Sequence, residues 1–228
     1  MHCLGGRVLK PEILDTLPPD SPEARASLAD IVRINKHWGG LATLRRLLDQ
    51  TIPRSEQFSF LDVGAASGDM GRHVEQVRQG ARVTSLDYLE SHLIASENDP
   101  GGQGRRVAAD AFALPFSDKS FDYVFSSLFL HHFSDHDVVR LLAEAGRVAR
   151  KRVLVTDLWR LPIPYYFIAY TRPLFKWHPV SVNDGKVSVE AGFRPRELAH
   201  LARQAGLTDP RTRGYVPAFR IAMHAGAL

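Results

Sequence analysis

The run Phe58-Ser59-Phe60-Leu61-Asp62-Val63-Gly64-Ala65-Ala66-Ser67-Gly68-Asp69 constrains this chain more than any other stretch, because it reads as a buried strand that breaks into a glycine turn and opens a helix. Phe58, Phe60, Leu61 and Val63 supply the short apolar run of a central parallel strand, while Gly64 and Gly68 let the backbone turn and approach a ligand. Such a corner suits a nucleotide, although alone it also fits an ordinary βα turn. A dinucleotide fingerprint would want glycine at 64, 66 and 69. Here Ala66 adds a β-carbon and Asp69 a carboxylate, and a carboxylate at a helix start repels a pyrophosphate.

A ligand with an ammonium and a sulfonium would instead tolerate acidic neighbours, and S-adenosylmethionine (SAM) is such a ligand. Arg82-Val83-Thr84-Ser85-Leu86-Asp87 alternates into an acidic strand end about 25 residues after Asp62, close to the ~20-residue interval at which α/β nucleotide folds place a carboxylate for a ribose diol. Arg106 to Ala111 reads as another strand ending in an acid, Asp110, followed by Leu114-Pro115-Phe116 and the apolar strand Phe121 to Ser127. Taken singly, Asp87 or Asp110 reads as a helix cap or a solvated strand end. Taken in order, the D-x-G-x-x-x-G corner, the strand-end Asp, the D-A-x-x-L-P-F turn and the S-F-D-Y-V-F-S strand with its following His-His resemble a class I SAM-dependent methyltransferase over roughly residues 58 to 160.

This resemblance implies an α/β, Rossmann-like, doubly wound, seven-stranded and mostly parallel sheet with an antiparallel last strand, N-terminal helices and a lid insertion after the fifth strand. It implies SAM as cofactor, with contacts from Asp62, Gly64, Ala65, Ala66, Gly68, Asp87, Tyr88, Asp110, Ala111, Ser126 and Ser127. Many relatives carry glycine where this chain has Ala66, so a tighter fit around the methionine part of the cofactor is expected.

With 228 residues and 44% hydrophobic content the chain suits one α/β domain with an appendage. A single cysteine, Cys3, excludes an intrachain disulfide framework and a cysteine-rich metal site. Together with the lack of a charged region followed by an apolar one at the start, this leads to the expectation of a cytoplasmic protein. The apolar stretch Leu161 to Phe175 is broken by Pro162, Pro164, Arg172 and Pro173 and is too short to span a bilayer. A net charge of +4 leaves an anionic partner open, but scattered Arg is usually a solvated face, and nucleic acid is not the expected partner.

Residues 1–50 read as an N-terminal arm and cap helices, and 51–228 as the methyltransferase domain. Residues 1–20, rich in Pro and Gly, read as an extended or partly ordered arm. Ser21-Pro22-Glu23 then reads as cap, first-turn proline and first-turn acid of a helix, and a second helical segment is expected from about Asn35. Helices are further expected over 70–80, over 90–98, from Ser134 to near Arg150 and from Pro195, with a strand over 153–158 and two tail strands flanking Pro217. The segment 160–190 concentrates aromatics between prolines and reads as an aromatic lid, with Arg160, Arg172 and Lys176 at its rim and Asn183-Asp184-Gly185 as a turn. Asn35, His37, Trp38, Tyr165, Tyr166, Tyr170 and His178 are the candidate substrate-pocket residues, although an aromatic on a helix stripe such as Trp38 is more often core.

Methyl transfer from a sulfonium needs positioning more than covalent help, and a hydroxyl acceptor needs a base. His131 and His132 follow the fourth strand at the carboxyl edge where open α/β sheets bind ligands, which makes them the candidate catalytic bases. A metal reading of His131, His132 and His136 with Asp135 and Asp137 is disfavoured, because adjacent helical histidines diverge; no metal is expected. The expected function is methyl transfer to a small aromatic, polyketide-like or lipid-like acceptor, with oxygen as the first atom. The alternatives are a C-methyltransferase on a quinone precursor, an RNA methyltransferase and a non-catalytic SAM-binding protein. Against RNA, the fourth strand ends in Ser126-Ser127-Leu128 and not in the Asn/Asp-Pro-Pro-Tyr element of adenine amino-group methylators.

Overall fold

Seven strands form one sheet in the computed structural model, which describes residues 5–18, 21–90, 105–216 and 218–228. The strands are β1 (Phe58–Val63), β2 (Ala81–Asp87), β3 (Arg105–Ala108), β4 (Phe121–Ser127), β5 (Ala149–Leu158), β6 (Thr208–Tyr215) and β7 (Arg220–Gly226), in spatial order β3-β2-β1-β4-β5-β7-β6. The pairs β1–β2, β1–β4, β2–β3 and β4–β5 are parallel, and β7 runs antiparallel between β5 and β6. The mostly parallel sheet therefore has the form expected from the sequence. Chain order reverses between β1 and β4, which opens a crevice at their carboxyl ends.

Both faces of the sheet are covered. On one, α2 (Gly40–Thr51) and α3 (Asp69–Val77) pack Leu44, Leu47, Leu48, Met70 and Val74 against Phe58, Phe60, Val83 and Phe125. On the other, α4 (Asp135–Val148) and α7 (Pro195–Gln204) pack Val138, Leu141, Leu142, Leu198 and Leu201 against Leu61, Val124, Val153, Val155 and Ile221. Alternation of side chains along each strand divides these two cores.

The first helix, α1 (Pro22–His37), starts where Ser21 caps it, the Ser21 hydroxyl accepting from the Ala24 N–H. It runs through Asn35, so the expected second helix begins later, at Gly40. Gly39, with φ 92°, makes the break, and a β-carbon there would meet Ala218 at 2.6 Å.

After β5 come α5 (Pro162–Phe175) and α6 (Pro179–Ala191). The expected turn at Asn183-Asp184-Gly185 lies inside α6. Asp184 is buried there, and its carboxylate accepts the backbone N–H groups of Ile13 and Leu14, so a tertiary contact overrides the local turn chemistry of Asn-Asp-Gly. These bonds also fix the arm: Val8 N–H donates to the Glu190 carbonyl, and Arg7 donates to the His131 and Phe133 carbonyls and pairs with Asp135. Residues 5–18 thus form a strap across α6 and the loop after β4. The expected helix over 90–98 lies, beyond its first residue, outside the described residues. No described helix is long and apolar enough to cross a membrane.

Candidate active site

The glycine corner is built by the register of β1 against β2. Val63 pairs with Leu86, and the chain then turns at Gly64 with φ 69°, where a β-carbon would strike the Phe129 ring at 2.5 Å. Ala65 N–H donates to the Leu86 carbonyl, and Ala66 N–H to Asp87 Oδ2 at 2.8 Å, so the strand-end acid clamps the turn. Asp87 Oδ1 accepts from the Leu89 N–H. Ala66 adopts φ 45°, a left-handed conformation that costs a residue with a β-carbon. Asp62 is buried beneath the corner with its Oδ2 lacking any partner; burial, reinforced by Asp69 and Asp87, pushes it up to about 8. It is therefore neutral at pH 7.

A second acidic centre lies beyond β4. Ser127 ends the strand, Leu128 takes φ 51°, and a short turn over Leu130–His132 buries His131. His131 Nδ1 lies 2.7 Å from Oδ1 of Asp157, a fully buried residue near the end of β5, and its Nε2 lies 3.7 Å from Glu12 of the strap. Burial alone would lower His131, but the Asp157 and Glu12 carboxylates outweigh it and raise the imidazole to about 9. Those carboxylates are held low in turn: burial favours their neutral forms, and the imidazolium overrides it. The Ser188 hydroxyl also donates to Glu12. His132 stacks beside His131, ring centroids 4.3 Å apart, with 32% of its side chain exposed. Burial and the charge of His131 lower it, so His132 is a neutral base near pH 7. Side-chain N and O atoms of Glu12, His131 and His132 lie within 4.8 Å of one another, whereas His136, weighed with those histidines from the sequence, is exposed and sits beside Asp137 outside this cluster.

One cavity of about 810 Å³ joins the two centres, within the range of small-molecule sites. Asp62, Gly64, Ala65, Ala66, Asp87 and Ser127 line it with His131, His132, Asn35 and Trp38. Several sequence candidates are not among its lining. Tyr88 is exposed, Ser126 points to the opposite core, and Gly68 supports the turn from behind. Asp110 is exposed beside Ala111 and accepts from the Phe112 N–H. The aromatic wall also differs from expectation. Helical spacing turns Pro164, Phe167 and Ile168 of α5 to the cavity and leaves Tyr165, Tyr166 and Tyr170 off it, with Tyr170 78% exposed. Trp38 packs edge-on against Phe167 at 4.7 Å and Phe175 at 5.0 Å, so it is wall and core together. His37 is exposed, and His178 caps α6, its Nδ1 accepting from Val180. Arg160 is not a rim residue: it is buried, pairs with Glu197 and donates to the Gly192 carbonyl.

Three functional candidates escaped the sequence reading. Asp157 lies one residue before the end of β5, close to where Asp87 sits on β2, a signal that was present in Val155-Thr156-Asp157. Glu12 and Arg220 reach the cavity only through tertiary folding, and no local pattern marks them.

Residues 61–155 match the model of the methyltransferase domain. The chain is 37% identical over 145 residues to the ubiquinone/menaquinone biosynthesis C-methyltransferase of Paracoccus denitrificans, covering 59% of this chain and 55% of that protein. It is 31% identical over 159 residues to the demethylmenaquinone methyltransferase of Thermobifida fusca, covering 66% of each. The matched stretch thus spans less than two thirds of the length of these curated relatives. In fold, it resembles a SAM-dependent methyltransferase from Aquifex aeolicus, with TM-score 0.59 and 17% identity over 81% of this chain and 89% of that one. It also resembles human N-acetylserotonin methyltransferase in complex with SAM, with TM-score 0.65 and 17% identity over 93% of this chain and 61% of that one.

Proposed function

We propose that this chain, which carries a SAM-dependent methyltransferase domain, transfers the methyl group of SAM to a small hydroxylated ring acceptor of aromatic or lipid-like character. The observation that carries the reading is the single cavity, with the glycine corner and Asp87 at one end and a locked and an open histidine at the other. When bound, SAM supplies an electrophilic methyl group on a sulfonium. Asp87 would hold its ribose hydroxyls, and Gly64, Ala65 and Ala66 would bring backbone close to its methionine part. The neutral Asp62 removes one negative charge from beneath the corner.

The rest is positioning and proton handling. His131, charged and held by Asp157 and Glu12, cannot accept a proton near pH 7. His132 can, because it is neutral and sits at the cavity edge. Ionising a ring hydroxyl makes both its oxygen and the ortho carbon more nucleophilic, so one base serves either product. The names of the sequence relatives favour carbon. Oxygen is the second reading, favoured by His132 itself, since a base stands beside the atom that it deprotonates.

Incubation with methyl-¹³C SAM and a panel of phenols, hydroquinones, fatty acids and RNA tests this directly. Carbon NMR separates a ring-bound methyl from a methoxyl. Label entering a hydroxylated ring is the expected result; label in RNA, or bound SAM with no transfer to any ring, would sink the reading.

A further inference from the structure

Three arginines are buried among the described residues, and two of them are neutralised by contact. Arg78 pairs with Asp49 at 2.7 Å, and Arg160 pairs with Glu197. Arg220 has no carboxylate within 4.0 Å among the described residues, although it is only 7% exposed and lines the cavity. Its side chain makes one long hydrogen bond there, 3.4 Å to Asn35 Oδ1. A guanidinium carries five donors, so this leaves most of its fork without a protein partner beside the cavity.

The nearby acids balance the charge at a distance but do not contact the guanidinium. Asp157 is the carboxylate that Arg220 feels; its Oδ1 is taken by His131 and the Leu158 N–H, and its buried Oδ2 has no hydrogen-bond partner, Arg220 included. Glu12 faces the opposite side of the same imidazolium and is bonded to Ser188. Burial brings Arg220 down to about 10 against the pull of Asp157, so it stays charged at neutral pH. A buried cation that faces a cavity with no carboxylate in contact keeps its donors for an anionic ligand.

We propose that Arg220, with Asn35 beside it, forms an anion subsite at the acceptor end of the cavity and takes a carboxylate carried by the acceptor. The planar fork of the guanidinium matches a carboxylate in two parallel hydrogen bonds. Sheet order places the subsite away from the cofactor corner: Arg220 opens β7 and pairs with Leu158, three strands from β1, which is about 14 Å at ~4.8 Å per strand. The same cavity is lined by Leu28, Phe167 and Ile168, which offer hydrocarbon to the ring or chain behind the carboxylate. This subsite rests on the methyltransferase reading for its naming of the acceptor end.

The test measures binding, not turnover. Protein saturated with S-adenosylhomocysteine is titrated calorimetrically with benzoate and decanoate, and with benzyl alcohol and decanol as neutral counterparts. Preference of about tenfold or more for each acid over its alcohol is expected, with that preference lost in Arg220→Gln and partly kept in Arg220→Lys. S-adenosylhomocysteine affinity is expected to stay within about twofold in both variants. Equal binding of acids and alcohols to the wild type, or no binding of either acid, overturns the subsite without any variant being needed. Loss of S-adenosylhomocysteine affinity in Arg220→Gln, with Tm unchanged, would overturn it by assigning Arg220 to the cofactor's carboxylate. Failure of the wild type to bind S-adenosylhomocysteine would instead contradict the methyltransferase reading, so the two failures are separable.

Discussion

Replacing Asp157 by Asn removes one charge from the buried His131 pair while keeping an oxygen that accepts the Nδ1–H. His131 stands at about 9 in the folded protein against an ordinary 6.5. At 1.36 kcal/mol per pK unit this difference corresponds to roughly 3 kcal/mol of folding stability. Because the folded value is raised, that stability is fully present below pH 6.5 and fades as pH rises through about 9. Without the Asp157 charge, burial dominates and only Glu12, at 3.7 Å, still favours the charged ring. Asp157→Asn should therefore cost about 2 kcal/mol at pH ~6 and have almost no effect near pH ~10. Urea unfolding at about pH 6, 7.5 and 9.5 gives the difference, and comparison with wild type cancels the other titrating groups, Asp62 among them. The histidine Cε1 proton of residue 131 should titrate at least one unit lower in the variant. A stability gap that does not change with pH, or a wild-type His131 titrating near 6.5, would refute the buried ion pair.

Other perturbations address the two ends of the cavity. Asp87→Ala should weaken S-adenosylhomocysteine binding by ~1.5 to 3 kcal/mol in calorimetry, through loss of charged hydrogen bonds and of the clamp on Ala66; an effect under twofold would remove Asp87 from the cofactor site. Ala66→Gly should stabilise the fold by about 0.5 kcal/mol, since relief of the left-handed strain exceeds the added chain entropy, and a destabilised variant in denaturant titration would contradict this. Activity should fall on the acid side, below pH 6.5, as His132 becomes protonated, and this limb should vanish in His132→Ala; a profile unchanged by the substitution would exclude His132 as the base.

The parallel sheet and the glycine corner were legible because their information is local. An apolar run and a glycine with positive φ lie within a few residues of each other at Phe60 and Gly64, and Asp87 is marked in the same local way as the acid that closes its own strand. The helix starts were legible for the same reason, Ser21 and Ser134 each capping the helix that follows. Segment 183–185 misled because Asn-Asp-Gly favours a turn locally, while two backbone N–H groups of the distant strap reward Asp184 for staying buried in a helix. The lid tyrosines misled in orientation: one helix face meets the cavity, and phase within α5 was not fixed by its nearly continuous apolar composition. Glu12 and Arg220 come to the site from opposite ends of the chain. Their meaning is a matter of burial and missing partners, which only the folded structure reveals.

The most direct check on the proposed chemistry is transfer of labelled methyl from SAM to a hydroxylated ring, measured alongside SAM affinity in wild type and His132→Ala. The expected result is labelled product from the wild type, a loss of turnover of about 10²-fold or more in the variant, and SAM affinity unchanged between them. Equal turnover in both proteins, or SAM bound tightly by the wild type with no ring ever methylated, would contradict a methyltransferase whose proton acceptor is His132.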